Sequence, residues 1–250
     1  MVWHIEPLAL HRVWVPGPEV LFQRAFSEMV ELVIYAFLLR RENQTCLIDT
    51  GLPHDHADLN LAVRGRKGPA SGFFSVGDPL SALLEARSVH PDLLVLTSFG
   101  PYATGNLADF EGVPLVVSAR GCADLLRPEE PALMHAVAPQ TCRHLLAARK
   151  VQRSEELLPG LHFLEVGIHH PASAAVIVET ADGRIGISDP VFTARNLTEG
   201  LALGAAENAA QWHAHVRMLG TRCDALLPIH DPDPRPVPRS RWHASLAAQS

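Results

Sequence analysis

No stretch of this 250-residue chain is apolar enough to cross a bilayer: the longest apolar run, residues 32–39, falls far short of the ~20 residues a membrane-spanning helix needs. The first ten residues, MVWHIEPLAL, lack a charged segment followed by a long apolar one, so no leader is expected and the chain reads as soluble and cytoplasmic. Positive charge is scarce as well. With a formal net charge of −6, the chain has no basic surface of the kind phosphate contacts require, which argues against a nucleic-acid partner. The four cysteines, Cys46, Cys122, Cys142 and Cys223, are scattered without a C-x-x-C pair, so neither a zinc knuckle nor a disulfide framework is indicated. Lysine is nearly absent, with two against 19 arginines; together with abundant alanine this reads as a GC-rich bacterial coding bias rather than as chemistry.

What is present is apolar mass, 47% of the residues, enough for one large core, and residues 1–250 are expected to form a single domain. Residues 31–39 and 46–48 read as a hairpin that delivers Asp49 to a loop. Residues 51–76 show no periodicity and read as a long loop or a partly ordered insertion. Asp78 and Pro79 look like a helix start, with Leu80, Leu83, Leu84 and Ala86 on its apolar face and Pro91 beyond its end. Runs 93–96 and 113–117 are apolar without alternation, the pattern of strands covered on both faces. Residues 122–126 and 132–149 look helical, and 161–166 and 174–179 look like strands. Asp182-Gly183 offers a tight turn into a strand at 184–188 that projects Asp189. A helix over 203–219 and a last strand over 225–228 lead to His230. The proline-rich residues from 232 onward are expected to be an extended surface tail, 232–250.

The polar residues at the ends of these strands form an ordered series. It runs Leu47-Ile48-Asp49-Thr50-Gly51, then Thr97 to Asn106 (TSFGPYATGN), His169 with Pro171 and Ser173, Ile187-Ser188-Asp189, and His230-Asp231-Pro232. In that order the series resembles the metallo-β-lactamase superfamily, most of all its N-acyl homoserine lactonase branch. The resemblance spans nearly the whole chain and implies a mixed α/β (α+β) fold, a four-layer αββα sandwich. In that superfamily a segment Thr-His-x-His-x-Asp-His-x-Gly supplies most ligands of a zinc pair. Here Ser98, Gly100, Tyr102 and Ala103 stand at the four ligand places. Gly105-Asn106 keeps the register, and Phe192 stands where the lactonases carry a tyrosine.

Three ligand-type residues survive, His169, Asp189 and His230. Losing most ligands forfeits most of a zinc site's binding energy, so a dinuclear zinc centre is not expected. The surviving pair of histidines and one carboxylate suits a single zinc or iron ion. The alternative is no metal at all, with His169 and Asp189 as a base pair and Tyr102 and Ser98 as acid, clamp or nucleophile. Phe99, Phe192, His54 and His56 are candidates for lining a substrate cavity, and Asp49 for a supporting carboxylate. His54 and His56 read more readily as solvated loop residues, His170 as a surface neighbour of His169, and His213 and His215 as structural. The implied activity is transformation of a small molecule by a remodelled site. An ordinary metal-dependent lactone or ester hydrolase, and a non-catalytic pseudoenzyme that binds a ligand or protein through the same cavity, stay open, as does a homodimer.

Overall fold

The computed structural model describes residues 2–127, 137–206 and 208–246. In chain order its elements are β1 (His4–Pro16), α1 (Gly17–Val20), β2 (Met29–Arg41), β3 (Gln44–Ile48), α2 (Ala57–Lys67), β4 (Phe73–Ser75), α3 (Leu80–Glu85), β5 (Leu93–Val95) and α4 (Pro101–Thr104). There follow β6 (Leu115–Ser118), α5 (Ala119–Leu126), α6 (Pro139–Ala147), β7 (Arg149–Val151), β8 (Ser154–Leu158), β9 (Leu161–Glu165) and β10 (Ala174–Thr180). The chain closes with β11 (Gly183–Ser188), α7 (Ala194–Thr198), α8 (Ala209–Gly220), β12 (Ala225–Pro228) and β13 (Val237–Pro238).

The strands form two sheets, ordered β4-β1-β2-β3-β5-β6-β7 and β13-β12-β11-β10-β9-β8. Phe37, Ile48, Val95 and Val116 of the first sheet share one buried cluster with Phe163, Val176, Ile187 and Leu227 of the second. On the other face of the first sheet, Leu38, Leu47, Leu94 and Val117 pack under Leu80 and Leu84 of α3, Cys122 of α5 and Leu145 of α6. Trp212, Val216 and Leu219 of α8 join the cluster of the second sheet. Helix, sheet, sheet and helix layers therefore stack as αββα. The unalternating runs follow from this, because β2, β3, β5 and β6 bury both faces.

Several expectations fail locally. Residues 51–76 are the ordered insertion rather than the long loop: α2 and β4 lie within them, and β4 pairs with β1 through His11 and Ser75. Helix α2 buries none of its residues, so no apolar stripe announces it. Asp78 does not cap α3, whose N-terminal cap is Pro79 with no side-chain bond. The helix expected over 203–219 begins at Ala209, where the Asn208 side chain accepts from the amides of Ala210 and Gln211. Of the helix expected over 132–149, residues 132–136 lie outside the described residues, the helix ends at Ala147, and Arg149 already pairs in β7.

Residues 237–246 are docked rather than trailing. Val237 pairs with Leu226 and is buried, Trp242 Nε1 donates to Val237 O at 3.0 Å, and Leu246 is buried. Burial of Val237 and Leu246 is worth about 1.5 to 3 kcal/mol each. Cutting the chain after Pro232 is therefore expected to remove about 3 to 6 kcal/mol of stability. Urea denaturation of the full and shortened chains would show it, and equal midpoints would mean the segment is not docked in solution.

Candidate functional site

Strands β3 and β5 run parallel and end at one edge, where β3 hands over to Asp49 and β5 to Thr97 and Ser98. In the second sheet β11 and β12 are also parallel and deliver Asp189 and His230, while antiparallel β10 begins there and receives the loop that carries His169 and His170. Two backbone bonds join the sheets at this edge, Ala174 N to Thr97 O at 2.8 Å and Val33 N to His230 O at 2.9 Å. Gly105 holds the loop after β3 close, since a Cβ there would lie 2.1 Å from Pro53 N. Asn106 Nδ2 donates to Thr50 O and Leu52 O.

Asp189 is fully buried, and its Oδ2 accepts from Ser173 Oγ and lies 3.0 Å from His169 Nδ1 and 3.7 Å from His170 Nε2. Its Oδ1 is buried without a hydrogen-bond partner among the described residues. Burial pushes the carboxyl up, but the neighbouring His169 and His170, with the bonds from His169 and Ser173, outweigh it and hold it at about 2. The site therefore keeps a fixed negative charge. His169, His170 and Asp189 each offer one ligand atom within 4.8 Å of the others, the single such group of three among the described residues.

This corrects the sequence reading in one respect. His170 is not a surface neighbour: it is buried, and its Nε2 lies 2.7 Å from Ser98 Oγ and 3.4 Å from Tyr102 OH. Adjacent residues point to opposite sides only in extended backbone. Here Gly167 and Ile168 both take positive φ, +70° and +81°, and the bent loop turns both imidazoles inward. For a β-branched residue that φ is a genuine outlier, a strain of order 1–3 kcal/mol held at the base of the site.

His230, expected as the third ligand, stays outside the group. Its Nδ1 donates to Val33 O, and its ring stands edge-on to Tyr102 at 5.6 Å and to Phe192 at 4.8 Å. Burial lowers its pKa to about 4, so the ring is neutral at pH 7. Phe192 also meets His169 edge-on at 5.2 Å. Ser98 Oγ donates to Tyr102 OH and accepts from Gly100 N. Burial and then the charge of Asp189 drive the Tyr102 phenol far above its ordinary pKa.

Asp49 accepts from Thr97 N at 2.8 Å and from Thr97 Oγ1, and burial raises its pKa to about 8, with Asp189 adding to the rise. It thereby positions the first turn after β5. Phe99 is packed with Leu94, Leu107 and Cys122 in the outer core layer, not among the polar residues. His54 and His56 are placed with His11: the His56 ring meets His11 edge-on at 4.9 Å, and His54 and His11 line a separate cavity. His215 lies under β11 and its Nε2 meets Ser188 Oγ at 3.0 Å, in keeping with a structural role.

No family model matches the chain, and no curated protein matches it in sequence. Solved structures do match. An N-acyl homoserine lactone hydrolase with N-hexanoyl-L-homoserine bound at its catalytic metal centre superposes with a TM-score of 0.76 at 15% identity, over 95% of this chain and 100% of that one. A probable metal-dependent hydrolase from Staphylococcus aureus gives 0.68 at 12% identity, over 92% and 91%. A dizinc quorum-quenching lactonase in complex with a product gives 0.66 at 11% identity, over 93% and 88%. At these identities the likeness establishes the metallo-β-lactamase fold and leaves the chemistry to the residues.

Proposed function

We propose that this chain is an enzyme acting on a small carbonyl compound of the ester or lactone class, with one divalent metal ion held by His169, His170 and Asp189. The observation that carries this reading is the convergence of those three side chains, with the buried Asp189 Oδ1 left without a hydrogen-bond partner among the described residues. A buried acceptor without a partner costs about 1–3 kcal/mol, and a cation beside it would remove that cost. The mixed imidazole and carboxylate donors suit zinc or iron(II). Bound there, such an ion would supply Lewis acidity toward a carbonyl and a more acidic water.

A second ion does not fit. Ser98, Gly100, Tyr102 and Ala103 offer no imidazole or carboxylate between Thr97 and Gly105. A Cβ on Gly100 would lie 2.4 Å from the Tyr102 ring, which occupies the room a side chain at residue 100 needs. The chain's own groups then have distinct tasks. Tyr102 stays a phenol at neutral pH and can donate a hydrogen bond to a substrate oxygen. The Phe192 and His230 rings wall the site and thin the water around it, and Ser173 and His169 fix the Asp189 carboxylate.

A second reading rests on the 2.7 Å approach of Ser98 Oγ to His170 Nε2, with Tyr102 OH beside both. Without a metal, His170 would serve as general base and Tyr102 as acid or carbonyl clamp. Metal analysis of protein purified without added metal separates the two. One equivalent of zinc or iron that Asp189→Ala loses is expected; two ions lost together in that variant would overturn the single-ion reading, and none lost would favour the acid–base one. If a panel of lactones and simple esters gives no turnover with either form, the site binds a ligand without transforming it.

A further inference from the structure

A second histidine cluster lies apart from the Asp189 group. His11 sits on β1 just after a bulge at Ala9 and His11, between Ile34 of β2 and Ser75 of β4. It is buried, and its Nδ1 has no hydrogen-bond partner among the described residues. Its ring lines a cavity of about 260 Å³ together with His54, Ser75, Asp78 and Asn106. His56 meets it edge-on.

We infer that His11, His54 and His56 form a second divalent-cation site of zinc type, with the Asp78 carboxylate at the cavity as the available oxygen donor. Three features carry this. The buried Nδ1 of His11 lacks a partner where a neutral core histidine is ordinarily satisfied. The Nδ1 of His56 faces the carbonyl oxygen of His54 at 3.2 Å, and a carbonyl can only accept. That bond fixes the tautomer and leaves Nε2 as the free donor, the same backbone support that orients ligating histidines generally. The cavity supplies both the carboxylate and room for a water.

The three imidazoles do not yet share one coordination sphere. His11 is held by the sheet, whereas His54 is exposed and His56 half-buried on the segment that leads into α2. Closure therefore needs side-chain rotations at the surface, between ordinary staggered rotamers, and a cation would order a segment that buries nothing of its own helix. The site would thus tie α2 to β1.

The test is zinc uptake by the chelator-stripped chain, with stoichiometry and affinity from calorimetry. Asp189→Asn is expected to retain one equivalent, which His54→Ala with His56→Ala loses. The loss should be at least about 100-fold in affinity, the upper range for removing a group that merely orients a ligand. His54 is exposed and His56 half-buried, so the double variant is expected to keep its fold, and circular dichroism checks that. Zinc uptake by the double variant equal to wild type in number and affinity would overturn the site, as would no uptake by folded Asp189→Asn. If wild type binds one equivalent that vanishes in the double variant, this site stands while the ion at Asp189 fails.

Discussion

Asp189→Ala is expected to lower affinity for the central metal, and turnover with it, by at least about a hundredfold while the sandwich stays folded. The carboxylate is one of three protein donors in the group. Structural zinc sites with four good ligands are worth about 10–16 kcal/mol, so each donor carries about 3 kcal/mol or more, and every 1.4 kcal/mol is a factor of ten. Removal also strips His169 Nδ1 and Ser173 Oγ of their acceptor, so both lose the orientation that makes the group converge. Asp189→Asn separates the two effects. It keeps the shape and one acceptor oxygen but not the charge, so metal affinity should fall nearly as far, with a smaller loss of stability. Metal content and turnover of the two variants, read against a denaturation curve, check this. Wild-type turnover in folded Asp189→Ala would remove the residue from the site altogether.

The layers and the strand ends were legible for one physical reason: an unalternating apolar run such as 93–96, too short for a helix, reads as a strand covered on both faces, and such strands end in loops that carry polar side chains. Asp49, Asp189 and His230 sit at such strand ends. What escaped depends on contacts between segments distant in the chain. Helix α2 buries nothing and leaves no periodic trace, and β13 is two residues whose pairing with β12 no local pattern announces. His170 shows the limit most plainly. Its inward direction follows from positive φ at Ile168, a conformation that an isoleucine at that position gives no reason to expect. Ser173 was visible as part of a turn, but its bond to Asp189 was not. His230 was selected by its place in a family pattern, whereas its Nδ1 is committed to the Val33 carbonyl, leaving Tyr102 and Phe192 as its ring neighbours.

The stability of the chain should peak near pH 6.5 and fall on both sides, because its buried groups titrate with opposite signs. Burial lowers His11, His215 and His230 from 6.5 to about 4. A lowered histidine contributes stability that is complete above its unfolded pKa and is lost as pH falls toward its folded one, since the unfolded chain then binds the extra proton. Asp49 acts in the other sense. Burial raises it from 3.8 to about 8, so its contribution is complete in acid and is lost as pH rises toward 8. Below pH 6.5 three histidines oppose one aspartate, a net of two protons, and the slope approaches about 2.7 kcal/mol per pH unit. Between 6.5 and 8 Asp49 alone sets the slope, about 1.4 kcal/mol per unit in the opposite direction. His213, also lowered by burial, steepens the acid limb. Asp49→Asn should flatten the alkaline limb because its amide can still meet Thr97 without ionising. His215→Gln, which can keep a bond to Ser188 Oγ, should take one proton from the acid limb. Urea midpoints from pH 4.5 to 8.5 for these three proteins measure both limbs, and an alkaline limb unchanged by Asp49→Asn would mean that this carboxyl is ionised in the folded chain at neutral pH.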